Sequence, residues 1–198
     1  MTYSLMIDKN QYLQLIVHAR CPIGEIESST LKAFKIDDDD GIAKALGFHP
    51  GMINKVDYFV TNDTAVKLIE LSDLKECMKS CDAYIDTELR RLQTDTARAI
   101  TQREEREVIK AAWKDIKVEF CKKWSGSIAV IERLYRKTNE LGDADPSYKL
   151  LIVCKDHTDT RMLDTLKDQL SRQLSGMMGH VVVCTTKTLS SALVRSDL

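Results

Sequence analysis

The apolar positions change period along the chain. Val56–Val60 (VDYFV) is a short β-rich run, Thr61-Asn62-Asp63-Thr64 is turn chemistry, and Ala65–Leu71 is a second apolar run. Together they predict a β-hairpin. From Asp73 to Trp124 the chain holds no Pro or Gly, and Leu74, Met78, Cys81, Ile85, Leu89 and Leu92 recur at three- and four-residue steps. That spacing predicts an amphipathic helix with a coiled-coil-like seam. Thr101-Gln102-Arg103-Glu104 fits a capping box, so a second helix is expected there, with Val108, Ile109, Ala112, Trp113, Ile116, Phe120 and Trp124 inward. A single helix of about fifty residues would be about 75 Å long, so a break near Thr94–Thr101 is expected. Ser125-Gly126-Ser127 should close this unit, with a third helix from Ser127 to about Leu141.

The ends of the chain alternate. Tyr148–Lys155 and His180–Thr186 are continuous apolar runs, the kind buried on both faces of a sheet. Thr158–Leu174 between them reads as an amphipathic helix, and Thr188–Arg195 as a closing one. Strand–helix–strand of this length implies a right-handed crossover and parallel pairing. Before the hairpin, Met1–Ile7 reads as a short strand or an irregular arm. Asp8 caps an expected helix to about Arg20, ended by Pro22 and Gly24, and Ser28 or Ser29 caps a second over Ser29–Ile36. Asp37–Asp40 reads as a solvated turn and N-cap for Gly41–Leu46, because it lacks the alternation and late Glu of a calcium loop. Gly47–Gly51 is a loop whose His49 is either exposed or within reach of the hairpin's end.

The expected fold is α/β: a small mixed β-sheet, hairpin plus two parallel strands, flanked by helices. The chain divides into an N-terminal part of the core (1–72), a long helical insertion (73–145) and a C-terminal half (146–198).

Composition adds limits. The chain has 198 residues, 43% of them hydrophobic and 30% charged, enough to bury a core. The net charge of −1 argues against a general polyanion binder. It is unevenly placed: residues 1–86 carry 14 acids and 9 Lys/Arg, residues 87–137 carry 8 and 13. The six cysteines are scattered, and no basic n-region or long apolar run opens the chain. Reduced thiols in a cytoplasmic protein are therefore expected, with no membrane span. Cys77 and Cys81 share a helix face but lack further ligands for a metal, so packing is their expected role.

The hairpin carries the candidate chemistry. If Val60 pairs with Ala65, Asp57 lies opposite Leu68, and Asp57, Leu68 and Glu70 share one face. Asp57 and Glu70 are then diagonal neighbours within reach of one cation. Acids on apolar strands are costly without compensation, which a divalent metal or water at the sheet's end supplies. Ser72-Asp73 also reads as a helix N-cap.

An Asp in one strand, a turn, then Glu-x-Lys in the next resembles the PD-(D/E)XK, or restriction-endonuclease-like, nucleases. The motif here reads Asp57, then Glu70-Leu71-Ser72, with Ser72 at the lysine position. The resemblance implies that Asp57 and Glu70 hold Mg²⁺ or Mn²⁺, and that Lys75 or Lys79, from the following helix, replaces the lysine that positions the attacking water. It also suggests a further early acid, Glu25 or Glu27. Nucleic acid is the implied partner, with Lys110, Lys114, Lys117, Lys122, Arg133 and Arg136 available for phosphates; Lys110, Lys114 and Lys117 fall on one expected helix side. A solvated face laced with Glu104, Glu105, Glu107 and Glu119 is the alternative for these lysines. The other functional class is a catalytically silent binding module, an adaptor or inhibitor using the helical insertion on a protein partner or in a homodimer. The Leu74–Leu92 seam is then either core or partner surface. The chain has no GxGxxG, P-loop, GxSxG or HExxH motif. A Cys/His hydrolase built from Cys154, Cys184 and His157 is disfavoured, since both cysteines fall inside buried strands.

Overall fold

The structure, a computed structural model, describes residues 7–18, 25–49, 51–62, 65–138, 146–174 and 181–195. The expected arm before Ile7, the stop at Pro22 and Gly24, the loop 142–145, the glycines at 176 and 179 and His180 lie outside them. The fold is α/β, as expected, but its mixed sheet has six strands in the order β1-β2-β3-β4-β5-β6. These are β1 Leu13–His18, β2 Glu27–Lys35, β3 Tyr58–Thr61, β4 Ala65–Leu71, β5 Ser147–Cys154 and β6 Val181–Thr185. The first four pair antiparallel, and β4–β5 and β5–β6 pair parallel.

The two additional strands replace both helices expected before the hairpin. Asp8 does cap a turn, but only the 3₁₀ turn Lys9–Tyr12. Leu13, Leu15 and Val17 then point outward while Ile16 and His18 are buried, a period of two. Residues 12–19 fit either period on paper, and partners decide: β1 pairs with β2, and β2 pairs with β3 through Phe34↔Phe59 and Lys35↔Tyr58. β1 and β2 also contribute side chains to one face of the sheet. Ile16 and Ala33 pack there with Tyr58, Ile69, Leu151, Val153 and Cys184, beside α6 (Leu189–Arg195).

The other face carries the larger core. Phe59, Val66, Leu68, Leu150 and Ile152 meet α1 (Ile42–Ala45), α2 (Lys75–Thr96), α3 (Gln102–Ala112), α4 (Lys114–Thr138) and α5 (Thr160–Leu174). The helical insertion thus packs into the same core as both halves of the sheet. The Leu74–Leu92 seam divides: Leu74, Met78 and Cys81 are in that core, whereas Ile85, Leu89 and Leu92 are half-buried further along α2. The α2–α3 break falls where expected, with Ala97 left-handed and Thr101 closing a capping box with Glu104.

The expected break at Ser125-Gly126-Ser127 does not occur. The helix breaks at Trp113 instead, and α4 runs through the Ser-Gly-Ser triplet. Packing overrides local preference here. A Cβ at position 126 would collide with the carbonyl of Asn54, so glycine lets α4 lie directly on the chain leading into β3. Ser127 Oγ donates to the Lys123 carbonyl (2.7 Å) and accepts from Val56 N (2.9 Å). It is used inside the helix rather than as a cap. No described helix is long and apolar enough to cross a membrane.

Candidate active site

The β3–β4 register differs by two residues from the expected one. Val60 pairs with Lys67, not Ala65, and Tyr58 with Ile69. The cause is a tighter turn: Asn62 N donates to Ala65 O (3.0 Å) and Asn62 Oδ1 accepts from Ala65 N (2.8 Å), so this pair closes the hairpin. A shift of two preserves the face of every side chain. Continuing the register one step past β3 places Asp57 directly opposite Glu70, closer than the diagonal relation expected.

Both acids lie on the larger-core side, in step with Phe59 and Leu68. Asp57 Oδ2 accepts from Leu71 N (2.7 Å), which joins the two strands at this point. Glu70 is 2% exposed. Burial raises the Asp57 carboxyl above its ordinary range, against the Leu71 hydrogen bond and the Lys123 charge that lower it. Burial, then the Asp57 charge, pushes Glu70 up to about 8, with Lys123 opposing. Glu70 Oε2 is buried with no hydrogen-bond partner. The expected N-cap at Ser72-Asp73 is not formed: Leu74 is the N-cap of α2, and Ser72 N extends the sheet by donating to Val153 O (2.9 Å).

The ammonium at this pair comes from an unexpected element. Lys123, on α4, pairs with Glu70 Oε1 and also with Glu119 Oε1 (3.1 Å). Lys75 opens α2 half-buried and Lys79 is exposed on it. Lys123 is set by the contacts just described: Gly126 brings α4 onto residues 54–56, and Ser127 pins the same turn to Val56, one residue before Asp57. The sequence does hold a signal for this, the Ser-Gly-Ser triplet inside an otherwise unbroken helical pattern.

Lys123 also lines a cleft of about 370 Å³ with Asp37, Asp38, Asp39, Lys44, Lys55 and Phe48. The acid run is therefore not merely a solvated cap. Asp37 pairs with the buried Lys55 (2.7 Å), Lys35 with Asp38 and Asp40, and Lys44 with Asp39, while Gly41 is the side-chain-free N-cap of α1. His49 is exposed.

The six basic candidates divide. Lys122, Arg133 and Arg136 are exposed on one face of α4 with Ser125 and Ala129 between them. Arg133 lies over the Phe48 ring, 5.2 Å from its centroid, at the cleft wall. Lys122 lines a groove with Met52, Ile53 and Asn54, and Ile53 and Asn54 also border the cleft. Lys110, Lys114 and Lys117 do not share one helix, because Trp113 separates α3 from α4.

Glu25 and Glu27 serve another cluster. Lys155 Nζ donates to Glu25 O (2.9 Å), and the Glu27 carboxylate accepts from Asp156 N and Thr186 Oγ1. These bonds tie the β1–β2 hairpin to the ends of β5 and β6. Burial pushes the Cys154 and Cys184 thiols up to about 12, which removes them as nucleophiles at neutral pH. His157 is exposed, and the described cysteines are all free thiols.

A small hard cation fits the donors at the acid pair. Mg²⁺ characteristically takes one or two carboxylates and completes its shell with water and substrate phosphate. Asp57 and Glu70 supply that set, and the unpartnered Glu70 Oε2 is an available ligand atom. Among the described residues no group of three or more His, Cys, Asp or Glu side chains converges, so water or phosphate oxygens would have to complete the shell. No protein-family model, curated protein or solved structure matches this chain.

Proposed function

We propose that the protein is a divergent, divalent-metal-dependent nuclease of the PD-(D/E)XK kind, acting on phosphodiesters at the Asp57–Glu70 pair. The observation that carries this reading is the buried Glu70 carboxylate facing the half-buried Asp57 carboxylate, beside a lysine at the edge of a cleft. Two such acids next to one another are costly to bury, and functional sites are where such groups collect. Asp57 and Glu70 would hold Mg²⁺ or Mn²⁺, which when bound supplies Lewis-acid activation of water and charge stabilisation at phosphate. Lys123, not Lys75 or Lys79, is the lysine best placed to bear on the reaction. The α4 face with Lys122, Arg133 and Arg136 would bind flanking phosphates as point charges and a guanidinium fork. A cytoplasmic location belongs to the same proposal.

The test is cleavage of single- and double-stranded DNA and RNA with Mg²⁺ or Mn²⁺. Activity should fall to background in both Asp57→Asn and Glu70→Gln, with the fold kept by circular dichroism. Activity that persists in folded Glu70→Gln refutes the assignment. Metal binding without cleavage of any substrate would favour the silent binding module, for which Ser72 at the motif lysine position already speaks.

A further inference from the structure

Resting on the reading of Asp57 and Glu70 as a metal pair, we propose that Lys123 is a built-in cation that holds Glu70 in the metal-free protein and must move aside for a divalent ion, so that it sets the metal affinity. Three observations converge. The Glu70 carboxylate is enclosed, and one of its two oxygens is taken by Lys123 Nζ while the other has no partner. An ammonium carries three donors and no lone pair, so it cannot join a metal's shell and repels a dication placed on the same carboxylate. Lys123 also has somewhere to go. Its second partner, Glu119, is one helical turn away at 3.1 Å with a side chain 56% exposed. A swing of the lysine tip to Glu119 keeps its charge paired and frees Glu70 Oε1.

The arrangement answers a problem of burial. A carboxylate enclosed without a counter-charge is strongly unfavourable. Where Glu70 is ionised, Lys123 fills that role in the empty protein, and a metal ion would fill it in the loaded one. The two states exclude each other at Glu70, and metal affinity is lowered by the strength of the ion pair that must be broken.

Calorimetric titration of the full chain with Mn²⁺ at pH 8.5, under nitrogen, tests this. Lys123→Met should bind at least about ten-fold more tightly than wild type, the worth of one charge-assisted hydrogen bond. Lys123→Arg, which keeps the charge, should stay near wild type. Equal or weaker binding by folded Lys123→Met overturns the proposal while leaving the metal pair standing. No binding by any variant overturns both. Should Lys123→Met fail to fold, lysine-ammonium NMR of the wild type decides, with the Lys123 resonance identified by its absence in Lys123→Arg. That resonance should shift as Mg²⁺ saturates the site, and a fixed resonance at saturation overturns the proposal.

Discussion

Gly126→Ala sets two opposing effects against each other. In an exposed helix interior the change would stabilise by about 1 kcal/mol, because alanine loses less backbone entropy on folding. Position 126 is buried against residues 53 and 54. An added methyl would sit 3.5 Å from Ile53 Cβ, 3.1 Å from the Asn54 carbonyl carbon, and nearer still to its oxygen. Restoring ordinary contact with that oxygen requires α4 to retreat by about 1.5 Å. The 2.9 Å bond from Val56 N to Ser127 Oγ would then open to about 4.4 Å, past the limit of a hydrogen bond. Overpacking costs about 1–3 kcal/mol, and a stranded buried N–H costs about 1–3 kcal/mol more. The net expectation is a loss of roughly 1–5 kcal/mol, which lowers the melting temperature of a chain this size by about 2–20 °C. Urea and thermal unfolding followed by circular dichroism read this directly. A Gly126→Ala variant that melts at or above the wild type would show that α4 does not need its close approach, and the account of how Lys123 is placed would fail with it.

Glu70 makes stability depend on pH in a defined direction. The folded chain keeps its proton up to about pH 8, whereas the unfolded chain releases it near 4.5. Between those values the folded state binds more protons, so stability falls as pH rises, by up to about 1.4 kcal/mol per pH unit. Urea midpoints at pH 6 and pH 8 should show that decline in the wild type and a flatter dependence in Glu70→Gln; an unchanged slope in the variant refutes the assignment. Thr101→Ala removes the side chain that accepts from Glu104 N in the capping box and should lower the melting temperature by about 2–4 °C without affecting the acid pair. Joint replacement of Lys122, Arg133 and Arg136 by alanine should reduce the slope of log affinity against log salt for duplex DNA by about 2.7; an unchanged slope would place the phosphate contacts elsewhere.

How much of this site the residues alone reveal follows from the range of each interaction. Asp57 and Glu70 are legible as partners because a hairpin is local and strand side chains alternate strictly. The expected register was wrong by two, yet the acids stayed on one face, since only an odd shift reverses it. The helices after Asp73 and the buried strands β5 and β6 are equally local patterns: a long seam without Pro or Gly, and unbroken apolar runs.

Contacts across long sequence separations decided the rest. Residues 13–18 and 27–35 carry patterns compatible with either helix or strand, and pairing with each other and with β3 resolves them. Ser125-Gly126-Ser127 reads as a break until Asn54 and Val56 arrive from far back in the chain to use the missing Cβ and the hydroxyl. Lys123 then reaches Glu70 from 53 residues away in sequence, a meeting that no spacing rule contains. The raised carboxyls of Asp57 and Glu70 likewise exist only once helices cover the sheet, because desolvation belongs to the assembled core. Strand alternation alone puts Asp57 and Glu70 on one face of the sheet. Folding set them directly opposite, brought Lys123 to them and buried Glu70, because register, long-range contact and desolvation exist only in the assembled chain.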